Sequence, residues 1–331
     1  MTTAAAWMAH GFTGLDDFVF GRRDVPPPGP GEITVAISAA GVNPADLKHV
    51  LRADDPALLP IPIGYEIAGV VTAVGPDVRL GCGTAGAAAL GRRIAAFRVH
   101  GGYAEALTLP AAKAFVLPDA VDDAAAAGLL LAGCTAAELL HRSGARPGET
   151  VVLHGASGAV GAVLLQLARQ AGVVVVGTAG ARRQESVRRF GGIPVTYGPG
   201  LTARLRAAAP GPIVAALDCA GTDEAVAASL ELVADRDRII TVAAAPAARA
   251  HGLRFLSGSR PDSAAYRDGV RGELLGLLAA GRLQVPIART FELPAAREAL
   301  EVVAGGHAPG KVVLRVRPRP ESATPPDGWS R

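Results

Sequence analysis

Residues 153–161 read LHGASGAVG, and this short stretch decides the fold of the chain. An apolar strand, TVVLHG, leads into it, and a long apolar helix, AVGAVLLQLARQAG, runs out of it. Glycines at such a junction are typical of a turn that binds a dinucleotide. Gly155 allows a sharp turn, Gly158 leaves room for a pyrophosphate, and Gly161 lets the helix pack close to the strand.

We therefore predict that this turn holds phosphate, because the free N–H groups at the start of the helix face the anion. The alternative is a tight strand-to-helix turn that binds no ligand. The predicted phosphate-binding residues are Gly155, Ala156, Ser157, Gly158, Ala159, Val160 and Gly161.

The order of elements around the turn predicts an α/β fold. From residue 150 onward, short apolar strands alternate with amphipathic helices, as in VVVVGTAG followed by RRQESVRRFGG. This alternation indicates a doubly wound parallel sheet of the Rossmann type, covered on both faces. The chain before about residue 120 is rich in β-branched runs, and after about 262 it leaves the parallel sheet. We expect the tail from 318 to be disordered.

Composition excludes several other classes of protein. The 331 residues are 50% hydrophobic and 19% charged, which indicates a globular protein with room for two cores. The net charge is +3 and the basic residues are scattered, so we expect no nucleic-acid partner. The start of the chain does not resemble a signal peptide, and the longest uncharged stretches, 124–137 and 150–168, do not predict a membrane-spanning helix.

Two residue types stand out by their scarcity. The three cysteines, at 82, 134 and 219, lie too far apart in the sequence for a zinc knuckle or a disulfide framework, and a reducing cytoplasm fits them. Nearly all basic residues are arginine, so each of the three lysines, Lys48, Lys113 and Lys311, is a candidate for a specific role.

The residues that follow the second strand bear on the choice of dinucleotide. An NAD site usually ends this strand with an acidic residue, but GTAGARRQE has none at 177–183. Arg182 and Arg183 follow instead, and a guanidinium group suits the additional phosphate of NADPH. We predict NADPH, with Arg182 as its phosphate ligand. Both arginines could instead be a solvated helix start, an alternative that applies more strongly to Arg183.

Several motifs in order resemble the medium-chain dehydrogenases/reductases, most closely the zinc-independent, quinone-oxidoreductase branch. They are GVNPADLKHVLR, PIGYEIAGVVTAVG, GGYAEALTLPA, VVLHGASGAVGAVLLQLARQAG, LDCAG and GKVVLRV. The resemblance implies a GroES-like catalytic domain over 1–120, completed by 262–317, and a Rossmann domain over 121–261, with 318–331 as a tail. It also implies a homodimer that pairs through edge strands of the Rossmann domain.

The same resemblance predicts that no metal is bound. Zinc-dependent members have Cys at the position of Asn43 and His at the position of Tyr65, and their third ligand would fall near 129–131, where only Cys134 is close. Amide and leucine side chains cannot replace thiolates. The four-cysteine structural zinc lobe is also missing, since this segment holds only Cys82.

Without zinc, a hydride suits an acceptor that is already electron-poor, such as a quinone or an α,β-unsaturated carbonyl. Three residues are candidates to hold the acceptor or donate a proton: Asn43, Tyr65 and Lys48. Asn43 could instead be a turn residue before Pro44, Tyr65 a wall residue of the cleft, and Lys48 a surface lysine. For the cofactor, the resemblance adds Asn43, Thr135, Thr178, Ala179, Tyr197, Ala220, Gly221, Phe255 and Ser257.

Three functions follow from these observations. The first is an NADPH-dependent, metal-independent reductase of quinones or activated alkenes. The second is a trans-acting enoyl-thioester reductase of polyketide or fatty-acid assembly, with the same cofactor site and a different acyl pocket. The third is an NADPH-binding protein without turnover that binds RNA or a partner; the weak net charge argues against it.

Overall fold

Sixteen strands and nine α-helices build the part of the chain that the computed structural model describes, residues 2–306 and 308–316. The predicted disordered tail, 318–331, lies outside the described residues. The strands are β1 (Thr2–Ala9), β2 (Phe18–Val25), β3 (Glu32–Val42), β4 (Ile61–Pro62), β5 (Glu66–Val74), β6 (Arg93–Phe97), β7 (Ala106–Pro110), β8 (Ala114–Val116), β9 (Thr150–His154), β10 (Val174–Thr178), β11 (Ile193–Val195), β12 (Ile213–Asp218), β13 (Ile239–Thr241), β14 (Arg254–Phe255), β15 (Ile287–Glu292) and β16 (Lys311–Arg315). The helices are α1 (Pro44–Leu51), α2 (Asp123–Ser143), α3 (Ala159–Gln170), α4 (Gln184–Arg189), α5 (Leu201–Ala208), α6 (Asp223–Leu232), α7 (Ala245–His251), α8 (Pro261–Ala279) and α9 (Ala296–Ala304).

Six strands form a fully parallel sheet in the order β11-β10-β9-β12-β13-β14. Chain order reverses between β9 and β12, which makes this edge of the sheet a topological switch point, where α/β folds bind ligands. The predicted doubly wound parallel sheet is therefore confirmed. The short helix α7 was not predicted; its segment, APAARAH, contains four alanines and a proline and has little apolar periodicity.

The remaining strands form the β-rich part of the chain. One sheet has the order β15-β16-β3-β5-β6-β8, with β7 paired to β3, and a three-stranded sheet has the order β2-β1-β4. Because β16 pairs antiparallel with β3, the end of the described chain returns to the first lobe. We call the β-rich part formed by residues 2–116 the first lobe. The exact domain limits at 120 and 261 stay predictions.

Helix α2 lies between the two main sheets and packs against β3, β5 and β16 on one side and against α3 and α8 on the other. It begins where Asp122 accepts a hydrogen bond from the Ala125 amide and ends at Gly144, whose left-handed backbone needs glycine. By length and composition α2 could cross a membrane, but 72% of its most apolar window is buried inside the protein. Because α2 packs against apolar elements on both of its sides, its composition is apolar.

The position of α2 predicts a large stability effect for Leu130→Ala. Leu130 is 1% exposed, and its removal leaves a cavity between the sheets that should cost about 2–5 kcal/mol of unfolding free energy. The control is Leu90→Ala, whose side chain is 54% exposed and which should cost well under about 1 kcal/mol. Urea unfolding of both variants checks this, and equal losses would contradict the central role of α2.

Candidate functional site

The glycine turn between β9 and α3 has the geometry of an anion-binding loop. Gly155 has a φ of 77°, a left-handed conformation that a side chain would strain. A Cβ atom at Gly161 would lie 2.5 Å from two carbonyl oxygens, so only glycine fits there. A Cβ at Gly158 would meet only one atom within 4 Å, at 3.4 Å, so the space beside it is open. No side chain caps the start of α3.

The turn is anchored from the neighbouring strand by Thr178. Its hydroxyl accepts from the Gly155 amide at 3.2 Å, and its carbonyl accepts from the Ala156 amide at 3.0 Å. His154, buried behind the turn, lies 3.5 Å from the same hydroxyl, and burial lowers the pKa of its imidazole to about 4. The ring is therefore neutral, and Thr178 fixes the shape of the turn from within.

On the other side of the switch point, Asp218 orders the turn after β12. Its buried carboxylate accepts from the Ala220 and Gly221 amides, both at 2.9 Å, and from the Thr241 hydroxyl at 2.7 Å. The predicted cofactor residues Ala220 and Gly221 are thus held beside Gly155 by an acid that the sequence analysis did not single out. In the sequence, the place of Asp218 in the LDC motif, at the end of an apolar strand, was the only feature that indicated this role.

The end of β10 presents an exposed corner. Tyr197 is 57% exposed, and its hydroxyl lies 3.2 Å from where a Cβ of Gly180 would be. Ala179 is buried just before Gly180, whereas Arg182 is exposed and, within residues 2–306 and 308–316, has no hydrogen-bond or ion-pair partner. The structure therefore brings Tyr197 and Arg182 to the same corner, next to the glycine turn.

The other predicted cofactor residues occupy more than one element. Phe255 ends β14 and is half-buried, and Ser257, two residues later, shares a hydrogen bond of 2.8 Å with Ser259. Thr135 lies on α2, where its hydroxyl donates to the Leu131 carbonyl at 2.8 Å. Within the turn itself, Ala156 and Ser157 are buried, and Ala159 and Val160 are half-buried at the start of α3. Open space and uncapped N–H groups at the switch point fit a dinucleotide phosphate.

Where β16 pairs with β3, three residues form a buried polar cluster: Asn43, Glu66 and Lys311. The Lys311 ammonium donates to Asn43 Oδ1 at 2.5 Å and to Glu66 Oε1. Asn43 Nδ2 donates to Glu66 Oε1 at 3.0 Å, and Glu66 Oε2 accepts from the Leu131 amide at 2.7 Å. Each of the three residues is at most 3% exposed. The Asn43 side chain, predicted to hold cofactor or substrate, is thus already engaged inside the protein.

Asp46 extends this cluster into the first lobe. One oxygen of its carboxylate accepts from the Asn43 amide at 2.7 Å and from the Tyr103 hydroxyl at 2.8 Å, while the other has no partner among the described residues. Burial raises the pKa of Asp46 to about 7. Near neutral pH, part of this group is therefore a neutral acid, which lessens the cost of burying it.

Tyr65 points away from that cluster and meets two histidines. Its ring centroid lies 5.5 Å from His49 and 5.4 Å from His100, and the two imidazoles are 5.8 Å apart. Burial, with the nearby Asp46 carboxylate, raises the pKa of Tyr65, so that its phenol stays protonated. Burial lowers the pKa of both histidines. Lys48, the third candidate, is exposed on α1.

The side chains at the zinc positions do not suit a divalent cation. Asn43 offers an amide whose oxygen already faces an ammonium, and Tyr65 offers a phenol with a raised pKa. Across residues 2–306 and 308–316, no three His, Cys, Asp or Glu side chains converge in a way that could hold a metal. A catalytic zinc needs three such ligands.

Two family models match the chain. Residues 29–119 match the alcohol dehydrogenase GroES-like domain, and residues 194–314 match the zinc-binding dehydrogenase family. Two curated relatives are the synaptic vesicle membrane protein VAT-1 homolog of Mus musculus, 39% identical over 55% of the chain, and the 2-haloacrylate reductase of a Burkholderia species, 34% identical over 56%. These matches span 44% and 56% of the relatives, so the chain covers about half their length.

Solved structures match nearly the whole chain. A quinone oxidoreductase of Pseudomonas syringae is 25% identical with a TM-score of 0.80, and the match covers 95% of this chain and 100% of that one. A mycobacterial protein solved in complex with NADPH is 26% identical with a TM-score of 0.79, covering 94% and 100%. With the two lobes, the switch-point turn and the missing zinc ligands, these likenesses show that the chain belongs to the medium-chain dehydrogenase/reductase superfamily, in its zinc-independent, quinone-oxidoreductase-like branch.

Proposed function

We propose that the chain is an NADPH-dependent reductase that transfers a hydride to a quinone or an α,β-unsaturated carbonyl without a metal ion. The observation that carries this proposal is the open, uncapped glycine turn at the switch point of the parallel sheet. The names of two similar proteins, a quinone oxidoreductase and a 2-haloacrylate reductase, support an electron-poor acceptor.

The cofactor would lie along the end of the parallel sheet. The amides at the start of α3 would bind the pyrophosphate, and Tyr197 and Arg182 would hold the adenosine end. The free guanidinium group of Arg182 favours NADPH over NADH, since a fork of N–H donors suits a phosphate. The mycobacterial protein solved with NADPH supports the same choice.

When bound, the reduced nicotinamide would supply the hydride to the electron-poor carbon of the acceptor. The two electrons of the hydride reduce the conjugated system, and one proton from Tyr65, Lys48 or water completes the product. Because the raised pKa keeps Tyr65 protonated, its hydroxyl can donate to the oxyanion that develops on the acceptor.

The metal-free part of the proposal rests on the available ligands. The Lys311 ammonium donates to Asn43 Oδ1 at 2.5 Å, so it already occupies the oxygen that a divalent ion at the family's zinc position would need. His49 and His100 supply only two imidazoles, fewer than the ligands that a catalytic zinc requires.

The enoyl-thioester reductase and the non-catalytic binding protein remain alternatives that we do not favour. We also propose a homodimer, formed through an edge strand of the parallel sheet, either β11 or β14, and a cytoplasmic location. The partners that we propose are a small quinone or enone and a second copy of the chain.

Arg182→Glu tests the cofactor choice. It should weaken NADPH binding by about tenfold or more, because a charge-assisted hydrogen bond to phosphate is lost and a repulsive charge takes its place. NADH binding should change by no more than about threefold, since it has no such phosphate. Calorimetric titration of both dinucleotides measures this, with Arg249→Glu, an exposed arginine on α7, as the control. Equal weakening of both dinucleotides would show that Arg182 does not touch the phosphate.

Chelation tests the metal-free chemistry. Purified protein should oxidise NADPH with a quinone or enone, and the rate measured by absorbance should be the same before and after dialysis against EDTA. The expectation rests on the described residues, among which no group of three His, Cys, Asp or Glu side chains could hold a metal. Loss of turnover on chelation, or one equivalent of zinc per chain by elemental analysis, would refute this part of the proposal.

Tyr65→Phe tests the proton or hydrogen-bond donor. The variant should lower kcat by roughly 10²-fold, the usual cost of removing one oxyanion donor. Since the phenol pKa is raised, the wild-type kcat should show no alkaline loss from this group up to about pH 10. Tyr266→Phe is the control, because that hydroxyl donates to the Ala137 carbonyl within the helices. An unchanged kcat in Tyr65→Phe would leave Tyr65 as a wall residue.

A further inference from the structure

Three basic residues gather where α8 faces the first lobe: Arg98, Lys113 and Arg271, here called the cationic cluster. Lys113 Nζ donates to the Arg98 carbonyl at 2.6 Å. The Arg271 guanidinium lies over the ring of Phe97, 5.4 Å from its centroid, and Phe97 directly precedes Arg98. Residues from the segment after β6, from the turn before β8 and from α8 are thus brought into one group.

The cluster carries more positive charge than its neighbours balance. Asp268 is the acid that pairs with it: its carboxylate contacts Arg271 and lies 3.8 Å from Arg98 Nη1. That acid is itself half exposed. Arg98 Nη1 and Arg271 Nε are buried and have no hydrogen-bond partner in the described part of the chain. Burial lowers the pKa of Lys113, and the charges of Arg98 and Arg271 add to that effect.

The backbone at Arg98 gives an independent indication of function. Its φ is 62°, a left-handed conformation that costs a non-glycine residue about 1–2 kcal/mol. Among the described residues, the other non-glycine position with positive φ is Asp77, a residue type that tolerates this region. Glycine occupies the remaining positive-φ positions. Backbone strain that the surrounding structure maintains is common at ligand-binding sites. Here it sets the direction in which the Arg98 side chain leaves the backbone.

The cluster lies next to the candidate proton donor. The Val99 amide donates to the Tyr65 carbonyl at 3.1 Å, which aligns Arg98 and Tyr65 on neighbouring chain segments. His100, two residues after Arg98, has its ring 5.4 Å from that of Tyr65, and burial together with the charges of Lys113, His49 and Arg98 lowers the pKa of its imidazole. An acceptor held against Tyr65 therefore has cationic groups on one side.

We propose that the cationic cluster binds a carboxylate on the substrate, so that the preferred acceptor is an acidic enone or enoate rather than a neutral quinone. This inference rests on the proposed reductase activity and narrows its substrate class. The carboxylate would accept from Arg98 and Arg271, each of which has one nitrogen without a hydrogen bond among the described residues, and would balance the charge that Asp268 leaves uncompensated.

A matched pair of substrates tests this proposal. β-Acetylacrylate and its methyl ester share one conjugated double bond and differ by one negative charge. Wild-type protein should reduce the acid with a kcat/KM at least about tenfold above that of the ester, and the preference should shrink at high salt. Calorimetric titration of both compounds onto the NADP⁺-loaded protein gives a binding readout that does not depend on turnover.

Arg98→Asn and Lys113→Gln should remove the preference, lowering kcat/KM for the acid by about tenfold while that for the ester changes by less than about threefold. Asparagine tolerates the left-handed backbone, so Arg98→Asn keeps the turn. Arg92→Gln is the matched control: it removes an exposed positive charge at the other end of β6 and should leave both rates unchanged.

The outcomes separate the two proposals. Equal rates for acid and ester in wild type, or equal losses on both in Arg98→Asn, overturn the carboxylate site and leave the reductase proposal standing. No turnover of any acceptor, with acid binding that Arg98→Asn abolishes, overturns the reductase proposal and supports the site. A preference that appears only with crotonyl-coenzyme A over its phosphate-free pantetheine analogue would assign the cluster to a carrier phosphate and overturn the carboxylate.

Discussion

The arrangement of the candidate active site depends on the buried ion pair between Lys311 and Glu66. Removing two charges from water costs several kcal/mol per ion, so the pair is stable only when further hydrogen bonds satisfy it. Asn43, the residue just before α1, and the Leu131 amide of α2 supply them. Four segments far apart in the chain must therefore meet before the cost is offset, and this fixes the wall of the site.

The same constraint explains what the sequence could and could not predict. The glycine turn could be predicted because most of what it requires is local: Gly155 has a left-handed backbone, and a Cβ at Gly161 would meet the carbonyls of Gly155 and Ala156 a few residues earlier. The contact of Lys311 with Asn43 joins positions 268 residues apart, and no local pattern encodes it. The rarity of lysine in an arginine-rich chain was the available hint. The role of Asp218 was equally hard to predict, because its partners are backbone amides and a hydroxyl group that come together only in the folded protein.

The GYE motif shows how two neighbouring residues serve two purposes. Tyr65 lies in the bend just before β5 and Glu66 is the first residue of β5; Glu66 enters the buried polar cluster, while the Tyr65 ring packs beside His49 and His100. Sequence reasoning singled out Tyr65 from its place in the family motif, but not the histidines, which lie 16 residues before it and 35 after it. Asn43 was singled out for the cofactor, and the structure engages its amide with Lys311 and Glu66. Any role that it has toward a bound ligand must therefore act through those partners.

On the proposed function, the charge distribution explains how the site would favour reduction without a metal ion. A hydride adds negative charge to the acceptor, and fixed cations stabilise that charge best where water is excluded. On our proposal, Arg98 and Arg271 would first neutralise the substrate carboxylate, which otherwise makes the conjugated bond a poor hydride acceptor. Tyr65, whose raised pKa keeps its phenol protonated, would remain able to donate a hydrogen bond to the developing oxyanion. Fixed guanidinium groups would in this way supply the electrostatic part of what zinc supplies elsewhere in the superfamily.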